Sequence, residues 1–204
     1  MEELGRTTDP VDLVPGCPAS VRRDCTRLVD TARSFEQIAE QLRAVRTPGW
    51  EGSACDAFWS SFDEQPKRWR ATADALHVAA DALAAYSAVL AHAQYDAADA
   101  IELWQRGQAA TEEAAHRHNV AVARYNAELG AGGSPALPSV VDPGAELRRR
   151  AVDLLADARD RVREAGDEAA ERLTRIPVGD LRFTRDDAAG WSGATGHVPP
   201  PSWP

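Results

Sequence analysis

Residues 53–104 read SACDAFWSSFDEQPKRWRATADALHVAADALAAYSAVLAHAQYDAADAIELW, and this stretch decides the fold. Phe62, Trp69, Leu76, Leu83, Leu90, Ala97 and Trp104 recur through it every seven residues. Ala73, Ala80 and Ile101 each fall four positions after a member of that row. Such a row is the seam of an antiparallel helix pair; a strand would alternate every second residue. The pattern predicts one helix from about Ala54 to Tyr125, kinked or briefly broken near Asp63–Pro66 where proline interrupts it. A helix of roughly 70 residues spans about 105 Å.

Working back from this stretch, Val21, Cys25, Leu28, Ala32, Phe35, Ile38, Ala39, Leu42 and Val45 step by three and four. They define a partner helix from Pro18 to about Arg46, ended by Thr47-Pro48-Gly49. The turn is Gly49-Trp50-Glu51-Gly52, and Ser53 is the expected N-cap of the long helix. The partner helix spans only about 43 Å, so the long helix after about Tyr95 must pack on something else. Asp142-Pro143 is an N-cap followed by proline in the first helical position. It opens a third helix, Pro143 to about Arg175, with the stripe Leu147, Ala151, Leu154, Leu155, Ala158, Val162, Ala165, Ala169, Leu173 and Ile176. Its outer face carries both signs of charge at spacings that favour pairs within the helix.

The expected fold class is all-α: two offset antiparallel helical hairpins sharing one very long kinked central helix, with a Pro/Gly-rich C-terminal tail. The expected units are an irregular leader (1–17), the hairpin with its extended second helix (18–128), a loop (129–141), the third helix on the distal half of helix two (142–176) and a linker or tail (177–204).

Composition narrows the function classes. The 204 residues carry a net charge of −9, against the basic face that nucleic-acid binding requires. Aromatics are 6%, too few for a sheet-rich fold, and charges interleave with apolar residues too regularly for a disordered chain. No run approaches the 18–20 uninterrupted apolar residues of a membrane span, and mixed or acidic polar faces do not suit an amphipathic membrane helix. The acidic N-terminus carries no signal-peptide core. Cys17, Cys25 and Cys55 are an odd set without metal spacing, which fits reduced thiols, with Cys25 facing a core. His77 and His92 are too far apart along one helix to share a metal, and His116 and His118 point to different faces. No phosphate loop, nucleophile elbow or zinc signature is present, so no catalytic residue and no cofactor is expected. Trp50 stands apart from the other tryptophans because it sits in the interhelical turn, either capping the hairpin core or exposed for recognition.

A helical hairpin whose turn reads Trp50-Glu51-Gly52 resembles the WXG family, the small helical-hairpin substrates of type VII secretion. That family joins its Trp-x-Gly turn to a Tyr-x-x-x-Asp/Glu motif, and Tyr95-Asp96-Ala97-Ala98-Asp99 matches it here. The leader, with Glu3-Leu4-Gly5, Thr8-Asp9-Pro10 and Leu13-Val14-Pro15-Gly16, is similar to the opening of type VII-secreted polymorphic toxins of actinobacteria. Trp50–Trp104 and Asp142-Pro143-Gly144 are similar to the same group. The resemblance implies a non-enzymatic targeting domain at the N-terminus of a larger effector. It also implies synthesis and folding in the cytoplasm and export without a cleaved signal peptide. Its recognition residues would be Trp50, Gly52, Tyr95 and Asp99, forming one composite surface. The implied partners are the secretion ATPase and small WXG-type hairpin proteins, with no nucleic acid, no stable membrane insertion and no cofactor. The alternative is an intracellular coiled-coil adaptor that binds partner helices and is not exported.

Overall fold

The computed structural model describes residues 2–134, 136, 137, 139 and 141–176; the expected tail, with Trp191 and Trp203, lies outside the described residues. The order is α1 (Pro10–Leu13), α2 (Pro18–Ala44), α3 (Ser53–Phe62), α4 (Glu64–Gly130) and α5 (Gly144–Thr174). The described residues are all-α, apart from one isolated bridge between Leu4 and Thr7. The central helix α4 has 67 residues, a length of about 100 Å. Each of the other four helices packs against it.

The break falls where proline predicts it. Asp63 separates α3 from α4, which puts Pro66 in the first turn of α4, where a missing N–H costs no helical hydrogen bond. The far end runs five residues past the expected Tyr125 and closes on glycine. Gly132 takes the left-handed conformation, its N–H bonds to Leu129 O, and Gly133 N–H bonds to Glu128 O.

Contacts set the hairpin direction. Ser87 Oγ donates to Pro18 O at the start of α2, while Phe35 packs edge-on against Trp69 and Glu36 pairs with His77 near its end. The two helices therefore run antiparallel. Their centre line is built from the smallest side chains. Cys25, Ala32 and Ala39 of α2 are buried, as are Ala73, Ala80 and Ser87 of α4. Leu28, Phe35, Leu42, Trp69, Leu76 and Leu83 flank that line and are half-buried. Small residues every seven positions let the backbones approach closely, and the larger ones seal the sides.

Helix α5 also runs antiparallel to α4. Arg148 reaches Gly107 O, Arg161 pairs with Asp96, and Gly166 lies beside Tyr86. It therefore reaches back past Tyr95, further than the expected distal half of the long helix, because its 31 residues cover about 46 Å of α4. Every residue of its expected stripe is buried or half-buried. Pairs such as Arg150–Glu146, Arg163–Asp160 and Arg175–Glu171 line the outer face.

A polar knot pins the start of α5. Asp142 Oδ1 accepts from Gly144 N–H (2.9 Å) and from the Thr111 hydroxyl (2.6 Å), and Asp142 Oδ2 accepts from Arg148 (2.7 Å). Arg148 also donates to Thr111 Oγ1. The Thr111 hydroxyl, and then the Arg148 guanidinium, hold the Asp142 carboxyl below its usual range. A carboxyl depressed in the folded state adds stability above its unfolded pKa and loses it as pH falls through the folded value. Acidification below about pH 4 is thus expected to loosen the α5 start. In Asp142→Asn that acid-sensitive step should be missing, which hydrogen exchange of the α5 amides against pH would read.

Apart from α1 the leader is irregular, yet it reaches the core through Leu13 and Val14. Leu13 and Val14 are fully buried among Leu90, Ala93, Ala97, Ile101, Leu155 and Ala158, with Leu4 packed against the cluster. The leader lies where α2 runs out, in the groove between α4 and α5. It is held largely by its backbone. Gln94 donates to Val14 O and Gly16 O, and Arg159 donates to Leu13 O and Glu2 O. Gly5, in the left-handed region, lies against the Trp104 indole, where a Cβ would stand 2.8 Å from Nε1. Nothing in the sequence signals this docking, because a segment held through its carbonyls needs no apolar period.

By length and mean hydropathy, one window within Ser53–Gly130 is apolar enough to cross a membrane. Its apolarity is largely alanine, and that helix carries the seams just described.

Candidate functional site

The turn between α2 and α3 is shaped by glycine. Gly52 has φ +107° and Gly49 φ +79°, conformations that side-chain-bearing residues rarely adopt. No atom crowds a Cβ at either place, so the requirement is conformational rather than steric. Gly52, not the expected Ser53, is the N-cap: Asp56 N–H bonds to Gly52 O, and Ser53 is the first helical residue. The buried Cys55 thiol donates to Trp50 O (3.1 Å), tying the tryptophan backbone to α3.

The Trp50 ring does not cap the α2–α4 core. It is 40% exposed and lies 5.2 Å from the Phe58 ring. Phe58 in turn stacks on Phe62 and meets Trp59 edge-on, while Arg46 sits over Trp59 at 5.8 Å. The tip of the hairpin is thus an aromatic cluster of four rings and one guanidinium. The heptad row assigns Phe62 to packing and leaves Phe58 out. The signal was the density of aromatics in a helix of ten residues.

Tyr95 lies in the unbroken middle of α4 and is 73% exposed, although Ala93 and Ala97 on either side are buried. Asp99, one turn on, is exposed on the same face. The acids in this stretch differ. Asp96 is mostly buried and pairs with Arg161 and His92, whereas no hydrogen bond or ion pair engages Asp99 among the described residues. Tyr95 walls a groove of about 550 Å³ formed with Pro10, Val11, Cys17, Arg22 and Ala98. The 45 residues from Trp50 to Tyr95 do return the chain to the start of α2.

The structure thus joins Trp50 to Gly52 and Tyr95 to Asp99, but it does not join the two pairs. They sit at opposite ends of the 27-residue α2, about 40 Å apart by helical rise. The single composite surface expected from the sequence is not formed within one chain. A helix of 27 residues keeps its ends apart.

Among the described residues, no group of three or more His, Cys, Asp or Glu could hold a metal ion. The exposed features are an aromatic tip and a tyrosine–carboxylate face on a rigid helical scaffold. Residues 1–177 match the family model described as "Putative T7SS secretion signal domain", and the chain belongs to that family. Membership of that family supports a targeting role in type VII secretion and implies contact with the secretion machinery and export by that route. No curated protein and no solved structure matches the chain.

Proposed function

We propose that the machinery reads this domain at two separate points, the Trp50/Gly52 turn and the Tyr95/Asp99 face, and that the domain carries a larger effector of the polymorphic-toxin kind. The observation that carries this reading is Tyr95 itself. A tyrosine 73% exposed on a helix whose neighbouring positions are buried contributes little to folding. With an unpaired carboxylate one turn away, it offers an aromatic anchor and a charge-assisted hydrogen bond to a partner. Trp50 is the matching anchor at the other end, on a backbone shape that only Gly52 allows. The secretion ATPase is the proposed reader of the tyrosine face, and a small WXG-type hairpin protein the proposed companion at the aromatic tip.

The test is export of a reporter fused after Pro204, in hosts with and without a working type VII ATPase. Secretion should require the ATPase, and Trp50→Ala and Tyr95→Ala should each abolish it while helical content by circular dichroism stays unchanged. Normal secretion of both variants would sink the two-point reading. A reporter retained in both hosts would favour the adaptor that binds helices and stays inside.

A further inference from the structure

We propose that the leader is a strap whose seating completes the Tyr95 groove, so that export depends on the leader being held as well as on Tyr95. This rests on the reading of Tyr95 as a recognition point. The groove is not a property of α4 alone, since Pro10, Val11 and Cys17 form one wall and Tyr95 and Ala98 the other. Without the leader in place, Tyr95 would stand on an open helix face beside uncovered Leu90 and Ala97. The strap is held through four backbone carbonyls, those of Glu2, Leu13, Val14 and Gly16, by only two side chains, Gln94 and Arg159. Two apolar residues, Leu13 and Val14, anchor its C-terminal half. Its own helix, α1, is four residues long, far too short to persist unless docked.

The groove fits one kind of occupant. Its walls take an apolar side chain. Arg22 lines it toward α2 and Asp99 stands a turn beyond Tyr95, and neither has a charged partner among the described residues. The complementary segment therefore presents an apolar residue flanked by an acid for Arg22 and a Lys or Arg for Asp99.

Arg159 separates the strap from the rest. It lies outside the groove and donates two hydrogen bonds to the leader backbone. In the full chain, Arg159→Ala should speed hydrogen exchange of the leader amides by about tenfold or more while α2, α4 and α5 keep their protection. Export of the fused reporter should fall with it, whereas Arg163→Ala, on the same helix but paired only with Asp160, should export normally. Unchanged leader exchange in Arg159→Ala would overturn the strap. Faster exchange with wild-type export would overturn the coupling while leaving Tyr95→Ala as the test of the recognition reading. Should Arg159→Ala lose helical content, Leu13→Ala, which trims the leader's own anchor, is read by the same two measurements. Normal export of Tyr95→Ala would instead remove the recognition reading on which the coupling rests.

Discussion

Gly144→Ala is expected to cost about 3 kcal/mol or more, because it overpacks a site where neither neighbour can yield and breaks a polar knot as well. A Cβ on Gly144 would lie 1.9 Å from Gly107 O and 2.3 Å from Thr111 Oγ1. The first is backbone in the middle of α4, so relief requires moving the start of α5 as a body. That movement opens the Asp142–Thr111–Arg148 knot as well. For a chain of this size each kcal/mol lowers the melting temperature by roughly 2–4 °C, so a fall of about 6–12 °C is expected. Gly130→Ala is the internal comparison. Nothing lies within 4 Å of its Cβ position and its backbone is helical, so that substitution should be neutral or stabilising by up to about 1 kcal/mol. Equal melting temperatures for the two variants would mean that the α4–α5 crossing is looser than the glycine contact implies.

The contrast between these glycines shows what the sequence could and could not reveal. Asp142-Pro143-Gly144 was legible as a helix start, although the helix begins one residue later than expected, at Gly144 with Pro143 as its N-cap and Asp142 accepting from Gly144 N–H. That Gly144 is also a point where two helices meet in close backbone contact was not legible. Its partner, Gly107, is 37 positions upstream inside a helical run, where a lone glycine reads only as a weak helix former. The helices themselves were legible because each buries one stripe, and a stripe leaves a period. The register of α5 on α4 leaves none, and the third helix accordingly reached further back than length alone implied.

The candidate site divides along the same line. Trp50 could be picked out as a tryptophan in the interhelical turn, whereas Tyr95 and Asp99 were legible only through the resemblance to the Trp-x-Gly and Tyr-x-x-x-Asp pattern. Their separation could also have been read from helical rise, since a helix of 27 residues stands between the turn and the tyrosine. What sequence reading could not supply was the wall opposite Tyr95. Pro10, Val11 and Cys17 belong to a segment with no period, held by Gln94 and Arg159 from helices far along the chain. Contacts between a side chain and a distant carbonyl place no constraint on the residue that owns the carbonyl, so nothing in the leader's composition announces them.

Leu90→Ala tests the consequence for stability. In the heptad row Leu76, Leu83 and Leu90 look equivalent, yet Leu90 is 1% exposed while the other two are half-buried. The difference is the leader. Gly16 approaches so closely that a Cβ there would meet Leu90 Cδ2 at 2.8 Å, and Leu13, Val14 and Leu155 complete the enclosure. Truncation removes the transfer energy of the side chain and leaves a cavity walled by two other elements, α5 and the strap, which cannot collapse together. The expected loss is roughly 4 kcal/mol, in the upper part of the range for buried leucines. Leu83→Ala, at a site already open to water on one side, should lose roughly half as much. Chemical denaturation of both variants checks the ratio. If the two losses are equal, the leader contributes no more enclosure than solvent does, and residues 2–16 are not part of the core. If Leu90→Ala is the more costly and also speeds exchange of the leader amides, then the strap and the central helix stabilise one another through that one side chain.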